Sequence, residues 1–249
     1  MYRHINKMSW AEVAALNPAD VVYVLPLASL EQHGRALPVG TDDLILRTSL
    51  DEMIKHLDLR HEFLELPQIH YGSSWEHMDF PGTIALSHTT IVSIIEDILS
   101  AMRTHGFKRL VIVNSHGGNA PIARGLSQEW EQKFGIRIYH LDYFGSDFFK
   151  DAQPILETSV NNDIHGGEIE AAYLAYALPE VFHADQATPE NDVFVNLTEY
   201  YDGWLSRNLS PDNGLIGMAS RWSLEKGKQL YDYVWQKLVR YFELFDSEF

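Results

Sequence analysis

The feature that most constrains the fold is a short, unbroken apolar run, Val21 to Leu27 (VVYVLPL), that stops abruptly at a polar loop. A run of that length without polar alternation marks a strand covered on both faces. The polar loop spans Ser29 to Asp43. From Leu44 the apolar positions Leu46, Leu50, Met53, Ile54 and Leu57 recur at helical spacing, which gives a strand, loop, helix unit. A second unit is clearer still. Ile91, Ile94, Ile95, Ile98, Leu99 and Met102 outline a helix that ends near His105 and Gly106, the glycine suiting a C-terminal cap, and Arg109 to Val113 (RLVIV) follows as a buried strand. Ala120 to Phe134 reads as an amphipathic helix and Ile136 to Tyr143 as a strand, with later helices over Gly166 to Leu178 and Ser223 to Phe245. Between them, Ala187 to Gly214 is loop-rich; with Tyr200, Tyr201 and Trp204 it either covers a pocket, meets a neighbouring subunit or forms ordinary surface. The alternation predicts an α/β fold, a three-layer α/β/α sandwich with a mainly parallel sheet and helices on both faces. No repeat, low-complexity segment or linker interrupts it, so residues 1–249 are expected to form a single domain.

Composition narrows the chemistry. There is no cysteine, which excludes disulfides, zinc fingers, iron–sulfur clusters and a thiol nucleophile, so any metal must be held by nitrogen and oxygen. With 19 Lys and Arg against 35 Asp and Glu, the formal charge of -16 repels a phosphate backbone, and no nucleic-acid partner is expected. No apolar run approaches the length of a membrane span and the N-terminal segment lacks the apolar core of a secretory signal, so the expectation is a cytoplasmic protein without a membrane partner.

Three segments carry potential ligands. In Glu31-Gln32-His33-Gly34, alternate side chains of an extended chain point the same way, so Glu31 and His33 can face one site, and Asp42 at the next helix entrance can return to it or simply cap that helix. In Asn114-Ser115-His116-Gly117-Gly118-Asn119, which follows the strand RLVIV, the glycines let backbone come close to a bound group while the helix start aims N–H groups at it. In Asp163-Ile164-His165-Gly166-Gly167-Glu168-Ile169-Glu170, a polar loop enters a helix. At least one of Glu168 and Glu170 is accounted for by the helix dipole there, and the other is a ligand candidate. Imidazole and carboxylate together suit Zn²⁺, Mn²⁺ or Fe²⁺ in a one- or two-ion site, and do not suit Mg²⁺. Competing signatures are absent: no Gly-x-Ser-x-Gly elbow, no Walker loop, no Gly-x-Gly-x-x-Gly after a strand and no His-Glu-x-x-His, and Ser115 lacks an evident orienting partner for serine catalysis.

Taken in order, SLEQHGRALPVGTDDLI, SSWEHMDFPGT, NSHGGN and DIHGGEIEAA strongly resemble the creatininase, or creatinine amidohydrolase, family, over about Val21 to Ala172, and the late segment GLIGMASRWSLEKG looks like the family's C-terminal pattern. The resemblance implies a metal-dependent hydrolase that cleaves a C–N bond of a small-molecule amide by attack of a metal-bound hydroxide. It implies Glu31, His33, Asp42 and His116 as metal ligands, with Asp42 bridging two ions. It places His165 in proton transfer, Glu168 in the remaining ligand position and in the catalytic set, and His77 in the pocket, with the backbone around Gly117, Gly118 and Asn119 available to substrate. The expected cofactor is a divalent metal, zinc first and manganese or iron as alternatives, and the expected assembly is a homohexamer. One departure is informative. Creatininase proper has an acidic ligand two residues after the motif histidine, where this chain has Gly118, so the second ion must take its carboxylate elsewhere. Relatives with the His-Gly-Gly-Asn form include formamide deformylases and a peptide-trimming enzyme. The alternatives to a creatinine-type substrate are therefore those reactions, or a metal-binding member without catalysis.

Overall fold

Five strands, Tyr2–His4 (β1), Val21–Leu27 (β2), Glu62–Glu65 (β3), Arg109–Asn114 (β4) and Arg137–Asp142 (β5), form one sheet in the order β1-β3-β2-β4-β5 with every neighbouring pair parallel. The computed structural model describes residues 1–143, 146–195 and 204–248. Within them the helices are Trp10–Ala14 (α1), Thr41–Ile54 (α2), His88–Thr104 (α3), Ala120–Phe134 (α4), Ser146–Phe149 (α5), Glu168–Ala177 (α6), Ser206–Leu209 (α7) and Leu224–Glu248 (α8). Tyr200 and Tyr201 lie outside the described residues.

The all-apolar strands sort their side chains by parity. Val22 and Val24 of β2, with Val111 and Val113 of β4, join one buried cluster with Leu46 and Leu50 of α2, Leu174 of α6 and Leu238 of α8. Tyr23 and Leu25, with Leu110 and Ile112, join a second cluster with Ile95 and Leu99 of α3 and Trp130 of α4. This is the period-two consequence of a pleated strand, with each face covered by helices, and it gives the expected three-layer α/β/α arrangement around a parallel sheet.

Strand order then fixes where ligands can bind. From β2 the chain crosses to β3 on one side of the sheet and next places β4 on the other side, so the loops leaving the carboxyl ends of β2 and β4 diverge and open a crevice. Ser115 N–H donates to the Leu27 carbonyl at 3.1 Å, which carries the β2–β4 ladder up to the mouth of that crevice.

The structure adds what the sequence reading lacked. β1 and β3 are short and mixed in polarity, and α2 begins at Thr41 rather than Leu44 because its first turn is polar. No helix among the described residues is long and apolar enough to cross a membrane.

Candidate metal centre

Glu31 and His33 lie in the loop after β2, Asp42 in the first turn of α2, His116 in the loop after β4, and His165 just before α6. All five converge in the crevice and are buried, Glu31 and His33 to 1% exposure. The side chain that completes the cluster is Glu170, in the first turn of α6. Three ligand-capable triads result, Glu31, Asp42 and His116, then His33, Asp42 and Glu170, and also Glu31, His33 and His165, each with its donor atoms within 4.8 Å of one another; the first two share Asp42. Asp42 belongs to both, presenting Oδ2 to His116 Nδ1 at 3.5 Å and Oδ1 to His33 Nε2 at 3.5 Å.

Backbone carbonyls set the tautomers. His33 Nδ1–H donates to the Glu31 carbonyl at 3.1 Å, which turns Nε2 towards Asp42 and, at 3.5 Å, Glu170 Oε1. His116 Nε2–H donates to the Ser73 carbonyl at 2.7 Å, which turns Nδ1 towards Glu31 Oε2 at 3.3 Å. His165 Nε2–H donates to the Gln32 carbonyl at 2.5 Å and leaves Nδ1 facing Glu31 Oε1 at 3.5 Å. Ligating histidines are held in this way, one nitrogen tied to an outer acceptor and the other bare towards the ion.

His77 takes the opposite sense. Gln32 gives one amide hydrogen to the Gly214 carbonyl at 2.8 Å and the other to His77 Nδ1 at 3.0 Å, and the Ser206 hydroxyl lies against the same nitrogen. His77 Nε2 therefore carries its proton towards Glu31 Oε1, 3.4 Å away. Its ring stacks on His165 with centroids 3.9 Å apart, while Trp204 meets it edge-on at 6.0 Å. Part of the late loop-rich region thus reaches the site through Trp204 and Ser206, which no periodicity in the sequence could signal.

Electrostatics follow from that packing. Burial opposes charge on His116, but Glu31, Asp42 and Glu76 push it up to about 10. Against burial, Glu170 and Asp42 raise His33 well above the usual imidazole range. Glu31 stays well below the carboxylate range because His116, His77 and His165 outweigh its burial, whereas burial and Glu31 lift Asp42 to about 6. Burial and the neighbouring His33 hold His165 down at about 4.

Three buried carboxylates in one crevice carry a desolvation cost of several kcal/mol each unless cations offset it. His33 Nε2 and Asp42 Oδ2 are buried and make no hydrogen bond, although each faces oppositely charged or lone-pair-bearing groups at 3.5 Å. That spacing is too long for a hydrogen bond and suits a cation between the atoms, so the residues present fit a pair of divalent ions.

Two of the expected site residues are placed outside the ligand cluster. Glu168 does not enter the cluster: its carboxylate accepts from Lys226 Nζ at 2.6 Å, from Thr158 N at 2.7 Å and from Glu157 N at 3.1 Å, so it ties the start of α6 to the 157–158 backbone and to α8. Residues 168 and 170 point to opposite sides of a helix, and the packing of α6 on α8 decides which side meets Lys226 and which the crevice. Asn119 is likewise taken up by structural bonds. It is wholly buried, and its amide is consumed by Ser73 N at 2.9 Å, the Ala28 carbonyl at 3.1 Å and Asn114 Oδ1 at 3.1 Å, making it a brace between the β2 and β4 loops.

The glycines divide in the same spirit. Gly117 is exposed with open space at its would-be Cβ, while a Cβ on Gly118 would collide with the Ser73 carbonyl oxygen and stand 2.5 Å from His116 Nε2. A side chain at 118 would require this backbone to shift, and the carboxylate beside His33 and Asp42 is that of Glu170 on α6. Gly166, with φ of +64°, supplies the left-handed turn that presents His165.

The model of the creatininase family, described as creatinine amidohydrolase, matches residues 6–242. The chain is 27% identical to the creatinine amidohydrolase of Pseudomonas putida over 92% of this chain and 91% of that one. It is 32% identical to the mycofactocin precursor peptide peptidase of Mycobacterium ulcerans over 68% of this chain and 63% of that one. It is 31% identical to the 2-amino-5-formylamino-6-ribosylaminopyrimidin-4(3H)-one 5'-monophosphate deformylase of Methanothermus fervidus over 47% of this chain and 45% of that one. Among solved structures the same fold occurs in a creatinine amidohydrolase (TM-score 0.74, 22% identity, 95% of each chain). It recurs in a structure titled "Creatininase Mn" (TM-score 0.72, 22% identity, 96% of this chain and 97% of that one). A creatininase mutant of Zn-Zn type shares it as well (TM-score 0.71, 23% identity, 95% of each chain).

Proposed function

This chain belongs to the creatininase family of hydrolases, and from that footing we propose that it cleaves an amide-type C–N bond of a small molecule, with Glu31, Asp42 and His116 holding one divalent cation and His33, Asp42 and Glu170 a second. The observation that carries the reading is the pair of triads sharing Asp42, with one nitrogen of His33 and of His116 turned inward because a backbone carbonyl takes the other. When bound, such ions lower the pKa of a water into the neutral range and polarise a carbonyl oxygen. Zn²⁺ and Mn²⁺ are the proposed occupants; the donor set favours both, and solved members of the family are named for one or the other.

The remaining work falls to the chain's own side chains. Asp42 and Glu31 are fixed by their histidine neighbours and, for Glu31, by the Ser29 hydroxyl at 2.7 Å, so the charge that must face the ions is set before substrate arrives. His165, locked by the Gln32 carbonyl, has Nδ1 free on the crevice side, where it relays the proton lost by the attacking water to the leaving nitrogen. As the C–N bond breaks, the carbon keeps the water's oxygen and the nitrogen leaves as a neutral amine. Gly117 leaves open space beside the crevice loop, and His77 and Trp204 serve as pocket residues.

Deformylation and trimming of a peptide end use the same bond chemistry, and relatives named for each support them as alternative substrates. The homohexamer implied by the family resemblance, acting in the cytoplasm, belongs to the same proposal. The test is an activity screen on metal-free protein reloaded with Zn²⁺ or Mn²⁺, run against cyclic ureas, lactams and formamides. Hydrolysis that appears only after reloading supports the proposal. Stoichiometric metal uptake with no turnover on any panel member would make this a metal-binding member without catalysis.

A further inference from the structure

We infer that Glu76 sets the substrate preference of this site, its carboxylate accepting N–H donors from a protonated amine or amidinium group that the substrate carries beside the scissile amide. Glu76 follows Trp75 in the short 3-10 turn Trp75–His77 and precedes the buried His77. It belongs to none of the three ligand triads, and it faces the outer edge of His116, with Oε1 3.9 Å from Nε2, the nitrogen already bound to the Ser73 carbonyl. The same oxygen stands 4.0 Å from His77 Nε2. Its side chain remains 22% exposed, against 1% for Glu31, which puts it at the rim of the crevice rather than in its floor.

The space around it is shaped to leave that carboxylate unshielded. A Cβ on Gly118 would lie 3.1 Å from Glu76 Oε1, so the absence of a side chain at 118 leaves one flank of the carboxylate uncovered. Among the described residues its ion-pair contacts are the two histidine rings, and no Lys or Arg reaches it. A carboxylate only accepts, so whatever meets it there must donate. A charged N–H donor is the strongest such partner, since charge-assisted hydrogen bonds are about twice as strong as neutral ones. An amide substrate carries nitrogen on its leaving side, and a chain of net charge -16 draws cations rather than anions towards the crevice.

The inference rests on the proposed hydrolytic site, so its test is read by binding rather than turnover. Methylguanidinium and N-methylurea match in size and shape and differ in charge. Each is titrated by calorimetry into the metal-loaded full-length protein and into Glu76→Gln, with bound metal measured in both. The expected result is that the wild type binds methylguanidinium about tenfold more tightly than N-methylurea, and that Glu76→Gln loses this preference with its metal content unchanged. Equal binding of the two probes by the wild type would overturn the inference, as would a preference that survives in Glu76→Gln. So would a Glu76→Gln protein that loses metal and both probes together, which would make Glu76 a positioning group for His116. If the preference is found but no amide is hydrolysed, the hydrolytic reading fails and the recognition stands.

Discussion

His33 Nε2 stands 3.5 Å from Asp42 Oδ1, both residues buried, and makes no hydrogen bond. Two polar atoms held at that distance by independent elements, the β2 loop and α2, define a place for a third, positively charged centre. The same spacing recurs between His116 Nδ1 and Asp42 Oδ2.

The different surroundings of the two α6 carboxylates separate two variants. Glu170→Gln is expected to lose one of two metal equivalents and most activity, and in the metal-free protein to remove the carboxylate that pairs with His33. Glu168→Gln should keep its metal and instead weaken the fold by about 3 kcal/mol, because it strips charge from a buried partner of Lys226. Metal analysis and thermal melting of the two proteins, side by side, check this; metal loss in Glu168→Gln would reverse the assignment.

Protons and cations compete for the cluster. Raised folded-state values mean that metal-free protein keeps both His33 and His116 protonated at pH 7, and His116 gives up its proton only near pH 10. Such groups stabilise the metal-free fold fully below the ordinary histidine pKa, and that contribution disappears as pH climbs through about 10. Metal must displace these protons, so its affinity should rise with pH from 6 towards 9, with about two protons released per chain on loading at pH 7. Calorimetry in buffers of differing ionisation enthalpy counts them, and a pH-independent affinity would contradict the picture.

Much of this was legible in the chain. Apolar runs at Val21–Leu27 and Arg109–Asn114 announce strands buried on both faces, and the polar loops after them are where parallel sheets bind ligands. β1 and β3 escaped because Tyr2–His4 and Glu62–Glu65 are too short and polar to show a period, and they are strands only because β2 offers β3 an edge and β3 offers one to β1. Glu31, His33, Asp42 and His116 were found from loop chemistry and family resemblance. Glu170 could not be told from Glu168, since both suit a helix N-terminus, and only the position of Lys226 on a distant helix separates them. Asn119 also braces the loops and Gly118 also avoids a clash with the Ser73 carbonyl, structural roles that call for the same residue types as binding does.

His165→Asn removes the proton-carrying nitrogen while keeping a polar side chain of similar reach. We expect kcat to fall by about 10² to 10⁴ while metal content stays near wild type. A variant that keeps wild-type kcat would remove His165 from proton transfer; one that loses metal would recast it as a ligand beside Glu31 and His33.

The most direct measurement is anomalous diffraction from crystals of the protein loaded with Zn²⁺ or Mn²⁺, collected on either side of the metal's absorption edge. The account predicts two peaks per chain, one bounded by Glu31, Asp42 and His116 and the other by His33, Asp42 and Glu170, with Asp42 touching both. Peaks elsewhere, or a crevice that takes up no metal while Glu168 binds it, would contradict the account.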